Sequence, residues 1–355
     1  MPPDVPAEHL RWLVLPNFSY DSDDKLGFGA RGEVVRPGGD PYKWALVLHA
    51  FATTNGYHHH RFRFDYVGDV RVTGHFAFRA WLNDGYWGVG DGTTRGDDGE
   101  DGKRYRYSLV QPFAQVAVRR EIVGPLSVFA SVNGRWSEVR TYPGSLLAEE
   151  QPLGMDGGLV GQLATGVLWD TREPEMTPAG GVLLEASVRG VTGAYSFAGP
   201  FLSARGWLQI GARVVVGERI MGEWLFGDVP FYEMVHWGGS VPIAGFGGAD
   251  TLRGISFGRW RGPGKALSNT EVRIDVVSHR LLKRDLRWQL VPFTDSGIVW
   301  GAGDPGPIHP TAGLGVRIIV DETMVGRIDG AVGQDLAVDG PALSWGSYLM
   351  FDHMF

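Results

Sequence analysis

The feature that most limits what this chain can become is a hydrophobic period of two. In HRFRFDYVGD (60–69), Phe62, Phe64 and Tyr66 share one face while Arg61, Arg63 and Asp65 share the other. RVTGHFAFRAW (71–81) sets Val72, Phe76, Phe78 and Ala80 against Arg71, Thr73, His75 and Arg79. TEVRIDVVS (270–278) sets Val272, Ile274 and Val276 against Glu271, Arg273 and Asp275. No segment shows a comparable helical period.

Such segments predict about sixteen strands, each long enough to cross a bilayer at a tilt. They cover 10–20, 25–37, 42–54, 57–68, 71–82, 104–120, 125–142, 158–172, 180–192, 201–210, 212–222, 266–278, 285–301, 311–321, 323–334 and 344–355. An even number returns the last strand to the first, as closure of an antiparallel barrel requires. The connections are one-sided: 83–103, 143–157 and 223–265 are long and follow odd strands, whereas 38–41, 69–70, 121–124 and 279–284 are tight and follow even ones. A soluble sandwich also alternates, so alternation alone does not choose. Strand number, strand length and one-sided loops favour an all-β fold, a transmembrane antiparallel barrel over 10–355 with residues 1–9 as a short periplasmic segment.

Composition narrows the classes. The chain has no cysteine, which removes disulfides and thiolate metal sites, and its net charge of -7 argues against a general nucleic-acid binder. No apolar run is long enough for a transmembrane helix. The opening Met1-Pro2-Pro3-Asp4 carries no basic-then-apolar leader, the expectation for a mature form of an exported protein.

Other candidate chemistry is thin. His58 and His60 share a face, but sequence places no third ligand beside them, and solvated imidazoles at a hairpin tip are the plainer reading. RGDDGEDGK (95–103) lacks the ligand spacing of a calcium loop. No phosphate-binding glycine loop, nucleophile elbow or His-Glu-x-x-His pattern occurs. The expectation is a non-enzyme without cofactor or metal.

The stretch 217–301 is the most specific. It contains GDVPFYEMVHWGGSVPIAGFGGADTLRGI, then LSNTEVRIDV, then VPFTDSGIVWG. This order resembles the carboxy-terminal barrel of the BamA/TamA surface-antigen superfamily, and GYWGVGDGTT (85–94) and LWDTREPEMTPAGG (168–181) resemble further segments of it. The resemblance implies a long sixth extracellular loop folded into the lumen, anchored by an Arg-Gly pair, here Arg253-Gly254 within Leu252 to Ile255. Its acidic partners would be Glu271 and Asp295, or one of them. Alternation puts both on the charged face, and Asp295 sits in a Phe-x-Asp-x-Gly run with Phe293 and Gly297. Ile255 stands where the family usually has an aromatic residue. A merely solvated loop arginine is the plain alternative.

SWGSYLMFDHMF ends on Phe355, with Phe351 on the same predicted face, and resembles the carboxy-terminal assembly signal of bacterial outer-membrane barrels. The implied setting is the Gram-negative outer membrane. The implied partners are the lipid bilayer, lipopolysaccharide, and a periplasmic POTRA-bearing or accessory protein. The implied role is outer-membrane protein assembly or polypeptide translocation. About nine residues precede the first strand here, where the family carries POTRA domains. A structural or partner-binding barrel without insertase activity, and a passive pore, are the alternatives.

Overall fold

Alternating side chains commit each segment to an extended backbone with one wet and one apolar face, and the only way to leave no open edge in a bilayer is to close the sheet. The computed structural model describes residues 10–38, 42–99, 101–174, 177–282, 284–301, 306–321, 324–351 and 355. The expected segment 1–9 lies outside the described residues.

The strands are β1 (Arg11–Asp21), β2 (Lys25–Arg36), β3 (Trp44–Thr53), β4 (Tyr57–Tyr66), β5 (Arg71–Gly85), β6 (Arg106–Val123), β7 (Leu126–Thr141), β8 (Gly158–Asp170) and β9 (Gly181–Gly193). They continue as β10 (Phe197–Ile210), β11 (Val214–Trp224), the two-residue β12 (Phe226–Gly227), β13 (Gly264–Leu281), β14 (Arg284–Trp300), β15 (His309–Val320), β16 (Met324–Ala337) and β17 (Gly340–Met350). Each long strand pairs antiparallel with its neighbours in chain order, and β1 meets β17, so sixteen long strands close a barrel with β12 as a small addition beside β10.

Side chains sort as the period demands. Leu48, Phe76, Val132, Leu163, Leu202 and Ile328 are exposed on the outer wall. Inward positions on β4, β7, β9, β11 and β16 carry Asp65, Arg135, Glu185, Arg189, Arg219 and Asp329, all buried. This is an inside-out arrangement relative to a soluble protein, and it places the apolar belt against lipid. The long connections 86–105, 142–157 and 225–263 gather at one end, while the turns at 124–125 and 211–213 lie at the other.

Two strands differ from the sequence reading by four residues or more at an end, and one helix adds to it. β10 begins at Phe197 rather than 201, because Phe197–Ala198 pair with Val191–Gly190 on one side and with β12 on the other. β17 spans 340–350 rather than 344–355, starting directly across the turn from Ala337. A short helix α1 (Leu146–Glu150) sits in the loop 142–157; Ser145 caps it by accepting from the Ala148 N–H, and Leu147 is buried beneath.

The two faces make a direct prediction. Leu163→Arg, in the middle of the lipid face of β8, should lower barrel stability by about 2–4 kcal/mol, whereas Gln162→Arg beside it should cost far less. Urea unfolding of protein in lipid vesicles checks this; equal losses would contradict the assigned faces.

Candidate functional site

The inward half of the barrel from β13 to β16 presents Asn269, Glu271, Arg273, Asp295, Arg317, Arg327 and Asp329, all buried. Carboxylates and guanidinium groups so enclosed are tolerable only if each finds a partner of good geometry. The loop 225–263 supplies the missing piece. It turns inward at Gly247 and Gly248, and Arg253 is fully buried at its deepest part.

Arg253 uses all of its fork. Nε and Nη2 donate to the two carboxylate oxygens of Asp295, each at 2.9 Å. Nη1 donates to Glu271 Oε1 at 2.9 Å and to Asp329 Oδ2 at 3.1 Å. The Arg253 backbone N–H donates to Asp295 Oδ2 at 3.1 Å. The guanidinium carbon lies 3.3 Å from the Phe293 ring centroid, a stacked cation–π contact. Burial alone would lower the arginine's pKa; the charge and hydrogen bonds of Asp295, then Glu271 and Asp329, outweigh it and hold it above the ordinary value.

Neighbouring cations complete the balance. Arg317 donates to Glu271 at 2.9 Å and to Asp329 at 2.5 Å, and Arg273 to Glu271 at 3.1 Å. Asn269 donates to Asp295 at 2.8 Å and to the Thr251 carbonyl at 2.6 Å. Arg327 reaches back to the loop, donating to the Ala249 carbonyl and to Asp250, both at 3.0 Å.

Glycine enters at two close approaches. Gly254 has φ of 90°, and a Cβ there would stand 3.0 Å from the Val332 backbone on β16. A Cβ on Gly297 would lie 2.6 Å from the Phe246 ring. Leu252 and Ile255 pack with Phe246, Trp237 and Trp260 into a buried apolar cluster against Leu267 and Val299. Ile255 therefore fills a core position rather than providing an aromatic stack.

The loop is fixed along its length. Arg259 donates to Asp335 at 2.6 Å, and Arg261 donates to the Gly85 carbonyl at 2.5 Å beside the rings of Tyr86, Tyr107 and Phe231. Glu233 pairs with Arg135 at 2.6 Å and Arg189 at 3.6 Å. Two bonds matter for the barrel's closing seam. The Gly254 N–H donates to Tyr348 Oη of β17 at 2.9 Å, and the Phe257 N–H donates to Asp23, in the turn after β1, at 2.9 Å.

The structure thus brings Arg253, Gly254, Glu271, Asp295, Phe293, Gly297, Leu252 and Ile255 together. The sequence reading missed Asp329, Arg317 and Tyr348. Arg327 and Asp329 in GRIDG do alternate onto the polar face, but nothing along the chain says which lumenal charge meets which.

The terminal pair separates. Phe351 is exposed on the outside, but Phe355 is buried inside the barrel, which corrects its expected place on the outward face of the last strand. β17 stops at Met350, and the Phe355 ring packs with Trp207, Leu168 and Leu183, beside the guanidinium groups of Arg219 and Arg273. Apolar contact and two cations hold the ring where lipid would offer only the former. His353 lies outside the described residues. His58 and His60 sit 5.9 Å apart, and no group of three metal-type ligands forms among the described residues.

Removing the central cation should unbalance three buried carboxylates. Arg253→Ala is expected to cost about 3–5 kcal/mol, and Arg253→Lys, which keeps the charge but not the fork, to recover less than half of it. The urea midpoint of the reconstituted barrel reads this, and an Arg253→Ala midpoint equal to wild type would contradict the network.

No protein-family model and no curated protein sequence matches the chain. Solved structures do. Over 97% of this chain and 70% of the other, it superposes on BamA from Haemophilus ducreyi lacking POTRA domains 1-3, with a TM-score of 0.65 at 12% identity. CdiB from Escherichia coli matches over 96% of this chain and 63% of that one, with a TM-score of 0.64 at 11% identity. CdiB from Acinetobacter baumannii matches over 97% and 65%, with a TM-score of 0.56 at 11% identity. The chain thus spans about two thirds of the length of these proteins. A closed sheet with a lipid-facing apolar belt, a charged interior and this superposition make the chain an integral outer-membrane β-barrel with the fold of BamA and CdiB.

Proposed function

We propose that this barrel opens along the seam between β1 and β17 to handle polypeptide segments, in outer-membrane protein assembly or translocation. The observation that carries the reading is the seam itself. β1 and β17 share two residue pairs, Tyr20 with Leu349 and Asp21 with Tyr348, extended by one bond from the Ser22 N–H to the Ser347 carbonyl at 3.1 Å. By contrast, β1 pairs with β2 continuously from Arg11–Val35 to Asp21–Lys25, and β16 with β17 from Arg327–Met350 to Ala337–Gly340. Among the described residues, Arg11–Ser19 therefore have no strand partner on the seam side.

Unpaired backbone groups at membrane depth are costly, and an incoming extended segment satisfies them by adding a strand. The loop supports the reading because it bonds to both sides of the seam, through Tyr348 and Asp23. Gly346 contributes in another way: a Cβ there would lie 2.2 Å from Tyr348 Oη, so the glycine clears room for the ring that holds the loop. The role requires no bond chemistry, so we read the protein as a non-enzyme. A POTRA-bearing or accessory periplasmic protein would deliver the segment. A lumen crossed by the loop 225–263 speaks against a passive pore.

The chain has no cysteine, so a seam lock is clean. Tyr20→Cys with Leu349→Cys places two thiols on directly paired residues, within the reach of a disulfide. Reduced proteoliposomes should speed insertion of an unfolded barrel client, read by protease protection, and oxidation should slow it at least tenfold. Equal rates in both states would contradict seam opening and leave a structural barrel.

A further inference from the structure

The wall opposite the anchored loop has a different electrostatic character. The outer faces of β2 to β5 carry Phe28, Leu48, Phe62, Phe76 and Phe78, all exposed, so the alternate residues point into the lumen. From Gly27 to Trp81 those inward positions carry the arginines Arg31, Arg61, Arg63, Arg71 and Arg79 and the histidines His49, His59 and His75. The carboxylates among them are Glu33 and Asp65.

Both acids are already engaged. Glu33 accepts from Arg31 at 2.8 Å. Asp65 accepts from Arg71 at 2.6 Å, Thr73 at 2.6 Å and Arg63 at 3.3 Å, and also from Tyr42. Glu233 of the long loop is held by Arg135 and Arg189. Arg61 is left with no hydrogen-bond or ionic partner among the described residues, and Arg79 only stacks on Phe113 and Trp81. Buried nitrogens of Arg61, Arg79, His59 and His75 all lack an acceptor or donor.

The pairing register gathers these groups. Arg31 faces His49, and His49 faces Arg61, across three successive strands. Arg63 faces His75 one step along the strands, and His59 faces Arg79 one step the other way. Neighbours across strands stand about 5 Å apart and successive same-face residues about 7 Å apart, so the cluster covers a patch some 10–14 Å across. The arginines of the patch carry one sign of charge with few acids among them, and low-dielectric walls concentrate their field. Here the patch is open to water: the Arg31, Arg63 and Arg71 side chains are 46%, 36% and 37% exposed.

We propose that this wall is a binding site for a multivalent oxyanion, a ligand bearing several phosphate-type groups, centred on Arg61 and flanked by Arg31, Arg63, Arg79, His49 and His75. Guanidinium forks match such groups geometrically, and several groups on one ligand fit the extent of the patch. The sheet separates this wall from lipid, so the ligand arrives through the aqueous lumen rather than from the bilayer. The site stands whether or not the seam opens.

The test uses the full chain in lipid nanodiscs at low salt, titrated calorimetrically with inorganic tripolyphosphate. One ligand should bind per barrel, and the affinity should fall at least tenfold in Arg31→Gln/Arg61→Gln. Arg61→Lys, which keeps the charge, should stay within about threefold of wild type, and Arg280→Gln, on an exposed residue at the opposite wall, should match it. Heat-modifiable electrophoretic mobility verifies that each variant is a folded barrel. Absence of binding by wild type, or equal binding by the folded Arg31→Gln/Arg61→Gln variant, would overturn the proposal.

Discussion

The structure depends on the burial of one guanidinium group among three carboxylates. Asp295, Glu271 and Asp329 come from β14, β13 and β16; Arg253 bonds to all three at once, while Arg273 and Arg317 add further cations to Glu271 and Asp329. Arg253 is delivered to that point by a loop, not by a strand. The same bonds that neutralise the wall therefore determine where 225–263 lies. From there the loop's aromatic residues fill the space that the strands leave, and its backbone reaches Tyr348 and Asp23 on the two sides of the seam. Charge balance, lumen filling and seam restraint are consequences of one contact.

The barrel itself is held in another way. Its backbone bonds are saturated between neighbouring strands nearly all the way round, and its outward apolar side chains face lipid. The exception is the seam, where two pairs do the work of the ten or more seen between β1 and β2. A barrel can carry such a gap only if something else restrains it, and the loop supplies two hydrogen bonds there. Coupling between the lumen and the seam follows from this connectivity, since a change in the loop alters the seam.

Much of this was legible from the residues. Period-two segments of membrane-crossing length place strands well, because inside and outside differ so sharply in polarity. The same alternation aims Glu271 and Asp295 inward. What alternation cannot convey is which strands lie close across the lumen. Asp329 and Arg317 look like any other inward charge until register sets them beside Arg253. The weak seam left little trace along the chain beyond Gly346 in the last strand, because the number of pairs two strands make depends on their stagger, not on their composition. Phe355 was misread for a third reason: extending the alternation past Met350 assumes the strand continues, whereas Trp207 and the cations of Arg219 and Arg273 hold the ring inside.

The central claim is that Arg253 holds the loop inside the barrel. Hydrogen exchange of the segment 246–258 in the reconstituted protein, compared between wild type and Arg253→Lys, tests it most directly. In wild type these amides should exchange as slowly as those of β13 and β14, and in the variant they should exchange at least a hundredfold faster while β13 and β14 stay protected. Rapid exchange of 246–258 in wild type, or unchanged protection in the variant, would contradict the account.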